Sequence, residues 1–156
     1  QALDARPAAV HFATHILAGR QDSSERFIAL SRRPDGSPEM LSAGAIAMSR
    51  SHPRLVAMTG CDSGTGYILP GEGMMGLTRA WLRAGSRQVI ATLWPVPDDS
   101  GELIGGFYRA LLGTPSTSGA PTVHEALREA QIRMIRAGGW RANPRYWAAS
   151  FLVSSD

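Results

Sequence analysis

Cys61 is the only thiol in a chain that also holds four imidazoles, His11, His15, His52 and His124. A thiol at neutral pH is mostly protonated, and a neighbouring imidazole that accepts its proton turns it into a nucleophile. Two of these residues close apolar, β-rich runs: His15 ends "AVHFATH" and Cys61 follows "RLVAMTG". In open parallel sheets, reacting groups gather in the crevice beyond the carboxyl ends of the strands, so neighbouring strands here would bring both side chains to one edge. The sequence therefore permits a Cys–His dyad. The loop "DSGTG" after Cys61 and the run "GEGMMG" at 71–76 are rich in small residues and would expose backbone N–H groups able to hold an oxyanion. The same loops also read as ordinary strand-end turns of an α/β fold. Phosphate binding by them is disfavoured, because neither a Gly-Lys-Ser/Thr ending nor a G-x-G-x-x-G fingerprint is present.

Positioning such a pair requires a sheet, and the hydrophobic pattern supplies one. Segments 8–14, 54–60, 87–94 and 148–154 are apolar at nearly every position, as expected of strands covered on both faces of a parallel sheet. Helical spacing predicts helices over 74–84, 102–112 and 123–137, the last with Val123, Ala126, Leu127, Ala130, Met134 and Ile135 on one face. Gly85 and Gly113 stand where C-terminal caps are expected, and Thr122 with Glu125 has the spacing of a capping box. Between the first two strands, "RFIAL" and "PEMLSAGAIA" flank a turn containing Asp35-Gly36, which predicts a small hairpin leading into a short helix near 42–48. The stretch 113–121 reads as a surface loop.

At 156 residues one core suffices, burying roughly 70% of the unfolded surface. Apolar runs reach only about seven residues, too short for a membrane span. The net charge of +3 comes from 16 arginines and no lysine, scattered without a basic stripe, which argues against nucleic-acid binding and is the usage of a GC-rich genome. A single cysteine forms no intrachain disulfide, and a cytoplasmic location is the expectation. The start at Gln1 has no signal-peptide pattern and reads as that of a fragment.

Other residues carry two readings each. Trp94 and Asp98 in "LWPVPDD" follow a strand; Trp94 would wall a substrate groove and Asp98 would receive a basic side chain, while a cap on the next helix is the favoured reading of Asp98 or Asp99, since it needs no partner. Asp62 beside a thiolate would disfavour it unless turned toward a substrate cation. His52 and His124 read as solvent-facing, and Tyr146 and Trp147 as core.

Taken together, "VHFATH", "LVAMTGCDSGTG", "GEGMMGLTRAWLRAGSRQVIATLWPVPDD", "FYRALL", "ALREAQ" and "YWAASFLVS" resemble, in order and spacing, the CHAT domains, a bacterial-rich branch of the caspase and separase clan. The resemblance covers nearly the whole chain and implies one domain over 1–156, a three-layer caspase-like α/β sandwich with a mostly parallel central sheet flanked by helices. It implies peptide-bond hydrolysis through an acyl-enzyme, with the catalytic positions falling on His15 and Cys61, His11 structural, and no cofactor or metal. Oxyanion and substrate contacts would fall on Ile16, Gly60, Asp62, Trp94 and Asp98. Family members often have Gly directly after the histidine, where this chain has Ile16, and often read Ala-Cys-Glu-Thr-Gly where it has Gly60-Cys61-Asp62-Ser63-Gly64. The family usually carries further sheet and helices before the histidine strand, so the N-terminal portion of the domain is expected elsewhere. Expected partners are a protein or peptide substrate and a helical-repeat region of the parent protein, with no nucleic acid and no membrane. The alternative function is a catalytically silent interaction or signalling module.

Overall fold

A computed structural model describes residues 7–19, 25–49, 51–59, 72–96, 101–113 and 119–155. The chain divides into two compact units, Gln1–Pro95 with Val153–Asp156, and Val96–Leu152.

In the first unit, β1 (Ala9–Phe12), β5 (Leu55–Met58) and β6 (Gln88–Thr92) form a sheet with β5 in the middle, and both pairings are parallel. All four residues of β5 and the last four of β6 are buried, the signature of strands covered on both faces. The end of β7 (Ser150–Ser154) continues the sheet beyond β6, and Ser155 N–H donates to Arg87 O at 2.9 Å. A second, antiparallel sheet in the order β2 (Ile16–Ala18), β3 (Arg26–Arg32) and β4 (Pro38–Ser42) leads into α1 (Ala43–Ala47). The predicted hairpin is present. Arg33 N–H donates to Ser37 O, Gly36 N–H donates to Arg33 O, and Gly36 has φ 81°, which marks a three-residue loop whose last position is left-handed. Asp35 accepts from both the hydroxyl and the N–H of Ser37, which holds its carboxyl below the usual value.

Helix α2 (Glu72–Arg83) lies against β6 and packs on α1. Its Leu77, Thr78, Ala80 and Trp81 are buried, as is Ala84 just beyond it, and the Trp81 ring meets Phe12 of β1 at 5.6 Å between centroids. The helix ends as its sequence predicts. Ser86 N–H donates to Trp81 O and Gly85 N–H to Leu82 O, the Schellman pattern, with Gly85 at φ 97°. His52 is exposed, as expected, and its ring also donates from Nδ1 to the last carbonyl, Ala84 O, which closes this helix end.

The second unit holds α3 (Gly101–Leu111) and α4 (Val123–Ala137), packed so closely that Gly106 meets Ala130; a Cβ on that glycine would lie 3.4 Å from the Ala130 Cβ. Ala126, Leu127, Ala130 and Met134 form the buried face, whereas Ile135 is 43% exposed and falls outside the face predicted for it. The capping box is present at Thr122–Glu125. Ahead of the predicted strand at 148–154 the chain forms α5 (Pro144–Trp147), capped by Asn143 with Pro at its first turn. Tyr146 and Trp147 are half-buried rather than core: Tyr146 stands edge-on to Trp140 and Trp147 Nε1–H donates to Ala142 O.

The architecture is mixed α/β with a mostly parallel sheet flanked by helices, consistent with a caspase-like sandwich. No helix among the described residues is long and apolar enough to cross a membrane.

The helix ends make measurable contributions to stability. Gly85→Ala puts a Cβ into a left-handed position and 3.0 Å from His52 Nδ1, so it should cost about 1–2 kcal/mol and lower the thermal midpoint; an unchanged midpoint would contradict the cap. Thr122→Ala removes an N-cap worth ~1 kcal/mol, measurable by denaturant unfolding. Hydrogen bonds from the Thr122 N–H and hydroxyl depress the Glu125 carboxyl, so their contribution is present at neutral pH and fades as pH falls through the folded-state value. The Thr122→Ala variant should therefore lose less stability than the parent on acidification.

Candidate functional site

The register of the parallel sheet places His11, Ala57 and Ile90 on one rung across β1, β5 and β6. Counting along the chain, His15, Cys61 and Trp94 each come four residues after those paired positions. The ladder continues past the strand ends, since Thr59 N–H donates to Phe12 O at 3.1 Å. The strand that leads to Cys61 thus runs between the strand that leads to His15 and the strand that leads to Trp94, and all three run the same way. Gly60, Cys61, Asp62, Asp98 and Asp99 themselves lie outside the described residues.

The apolar run predicts that His15 closes the first strand. Instead β1 stops at Phe12, and His15 stands three residues later, immediately before β2, a strand for which the sequence carries no signal. It sits at the joint between the parallel and the antiparallel sheet. Its carbonyl accepts from Ala29 N–H at 2.9 Å, and the neighbouring Thr14 hydroxyl donates to Ala29 O at 2.8 Å. These two bonds fix the backbone on either side of an exposed imidazole.

Ile16 pairs with Ile28, and both side chains are buried, at 3% and 0% exposed. The β2–β3 bonds fall at His15–Ala29 and Gly19–Glu25, so the intervening antiparallel pairs alternate and Ile16–Ile28 is of the type without mutual bonds. The Ile16 N–H is directed away from β3. A bulky residue at this position is accommodated because its side chain enters the core of the small sheet.

His11 does more than fill the first strand. Its Nε2 and the Thr59 hydroxyl are hydrogen-bonded at 2.7 Å, a diagonal contact across β1 and β5 that ends two residues before Cys61. Partial burial holds its imidazole below the usual value and so favours the neutral ring. The sequence indicates a structural role for His11 without naming this partner; aligning the two apolar runs by their ends is the signal that exposes the diagonal. Trp94 is 37% exposed in the turn after β6, where a groove wall would be needed. His124 is exposed at the start of α4, as expected. Among the described residues no group of three His, Cys, Asp or Glu side chains is placed to hold a metal ion.

The sequence profile of the CHAT domain matches residues 1–156. The chain is 29% identical over 119 residues to the human protein named Tetratricopeptide repeat protein 28, an alignment covering 76% of this chain and 4% of that protein. Its mouse counterpart of the same name is 28% identical over 137 residues, covering 87% of this chain and 5% of that one. The chain thus spans about one-twentieth of the length of these curated relatives, whose names indicate tetratricopeptide repeats. By the match over its whole length, the chain belongs to the CHAT domain family, a caspase-like family.

Proposed function

We propose that residues 1–156 act as one CHAT domain that is the catalytic part of a cysteine endopeptidase, with Cys61 as nucleophile and His15 as general base. The observation that carries this reading is the shared register, in which His15, Cys61 and Trp94 each come four residues after the same rung of three adjacent parallel strands. Membership of a caspase-like family supports it further.

In this reading His15 takes the proton from the Cys61 thiol as the sulfur attacks the carbonyl carbon of the scissile peptide bond. The tetrahedral oxyanion is held by backbone N–H groups, for which the Ile16 N–H, directed away from β3, and amides around Gly60 and Cys61 are the candidates; one such donor is worth about 3 kcal/mol in the transition state. Collapse of the intermediate breaks the C–N bond, His15 returns the proton to the leaving amine, and a thioester to Cys61 remains. A water molecule, deprotonated by His15, then attacks the thioester and frees the acid product and the thiol. Trp94 walls the substrate groove, while Asp62 and Asp98 receive cationic side chains of the substrate. The bond between His11 and Thr59 steadies the approach to Cys61 without touching the substrate. A lone thiol of this kind fits a reducing, cytoplasmic setting.

A second reading, a catalytically silent module that binds other proteins, is favoured by one observation. The curated relatives that the chain matches are named for their tetratricopeptide repeats and not for an activity.

Replacing Cys61 with Ala should abolish both labelling by an electrophilic peptide probe and cleavage of a peptide library, whereas His15→Ala should slow them by roughly 10²–10⁴-fold. Undiminished cleavage in the Cys61→Ala variant would overturn the peptidase reading. Absence of labelling and cleavage in the unmodified chain, with protein binding retained, would establish the silent module.

A further inference from the structure

The opposite end of the same strands carries a different chemistry. Leu55 pairs with Gln88, so the preceding residues, Arg54 and Arg87, stand side by side at the amino ends of β5 and β6, and Gln88 N–H donates to Arg54 O at 3.0 Å. Adjacent strands are only about 4.8 Å apart, and like charges placed side by side on a sheet repel. Both arginines are exposed, and neither makes an ion pair or side-chain hydrogen bond among the described residues. They line an open cleft of about 240 Å³ together with Gln88, Ser154 and Ser155.

Every one of these lining side chains offers hydrogen-bond donors: two guanidinium groups, an amide and two hydroxyls, with no carboxylate among them. The Ser155 hydroxyl and N–H both donate to Arg87 O, at 3.3 and 2.9 Å, which ties the end of the last strand to the start of β6 and fixes one wall. The strand pairing sets the two arginine backbones side by side, and the repulsion between their like charges is relieved by a bound anion. Each guanidinium presents a fork matched to an oxyanion, and two positive charges match the −1.5 to −2 of a phosphate monoester better than the single charge of a carboxylate.

We propose that this amino-edge cleft is a phosphate-binding site, in which Arg54 and Arg87 bind the phosphate group and Gln88 and Ser154 complete its hydrogen bonding. The site is distinct from the carboxyl edge that carries His15 and does not depend on peptidase activity. The phosphate belongs either to a free small molecule or to a phosphorylated side chain, since both present the same group.

The test is titration of the full chain with sodium phosphate against sodium chloride at equal ionic strength, read by calorimetry and thermal unfolding. Phosphate should raise the unfolding midpoint where chloride does not. In the Arg54→Gln/Arg87→Gln double variant the affinity should fall at least about tenfold. Arg87→Lys, which keeps charge but loses the fork, should fall between the two. A control with the same net charge, Arg128→Gln/Arg136→Gln, should bind phosphate as the parent does. A short neutral peptide bearing phosphoserine then separates the sources: tighter binding than inorganic phosphate assigns the site to a phosphorylated chain, and equal or weaker binding to a free phosphate compound. No phosphate response beyond chloride, or an equal response in the double variant and the parent, would overturn the proposal.

Discussion

Parallel pairing of β5 between β1 and β6 is the constraint on which the rest of the first unit depends. A parallel register aligns strand ends as well as strand middles, because all chains leave the sheet in the same direction. Neighbouring strands that share a rung therefore leave the sheet by one edge. Here the rung is His11, Ala57 and Ile90, and in the sequence His15, Cys61 and Trp94 each come four residues after it. Burial of every residue in β5 makes that register hard to shift, since a slip by one would force the flanking Arg54 or Thr59 into positions now held by apolar side chains.

A strand end alone does not orient a side chain, and the second sheet supplies that. Residues 13–15 leave the parallel sheet and enter β2, so His15 is gripped from the antiparallel side by its bond to Ala29 while Phe12, on the other side, is held by β5 and by the Trp81 ring. Two independent anchors three residues apart leave the backbone at His15 little freedom while its ring stays exposed. The buried Ile16–Ile28 pair belongs to the same device: it takes no room from the edge and secures the first residue of β2.

Much of this is legible in the sequence because it rests on strong local signals. The continuous apolar runs mark the buried strands, Gly85 its helix end, Thr122 and Glu125 their capping box, and Asp35-Gly36 its hairpin. The illegible parts depend on partners distant in the chain. "ILA" at 16–18 is too short to display a period, and becomes a strand only because β3 is there to pair with it. His52 looks incidental because the carbonyl it serves, that of Ala84, lies 32 residues away. Tyr146 and Trp147 read as core, yet Asn143 succeeded by proline is a helix-start signal that places them on a single half-buried turn.

The two edges of the sheet obey one geometrical rule with opposite electrostatic results. Toward the carboxyl edge stands His11, whose imidazole is held below its usual value by partial burial. At the amino edge the register sets two guanidinium-bearing residues, Arg54 and Arg87, side by side. Pairing of fixed like charges is tolerated at an edge, where water screens them, and would not be tolerated one residue further in, where Leu55 and Val56 are buried. The two edges are separated by the length of the strands, and the four buried residues of β5 are what keep them apart.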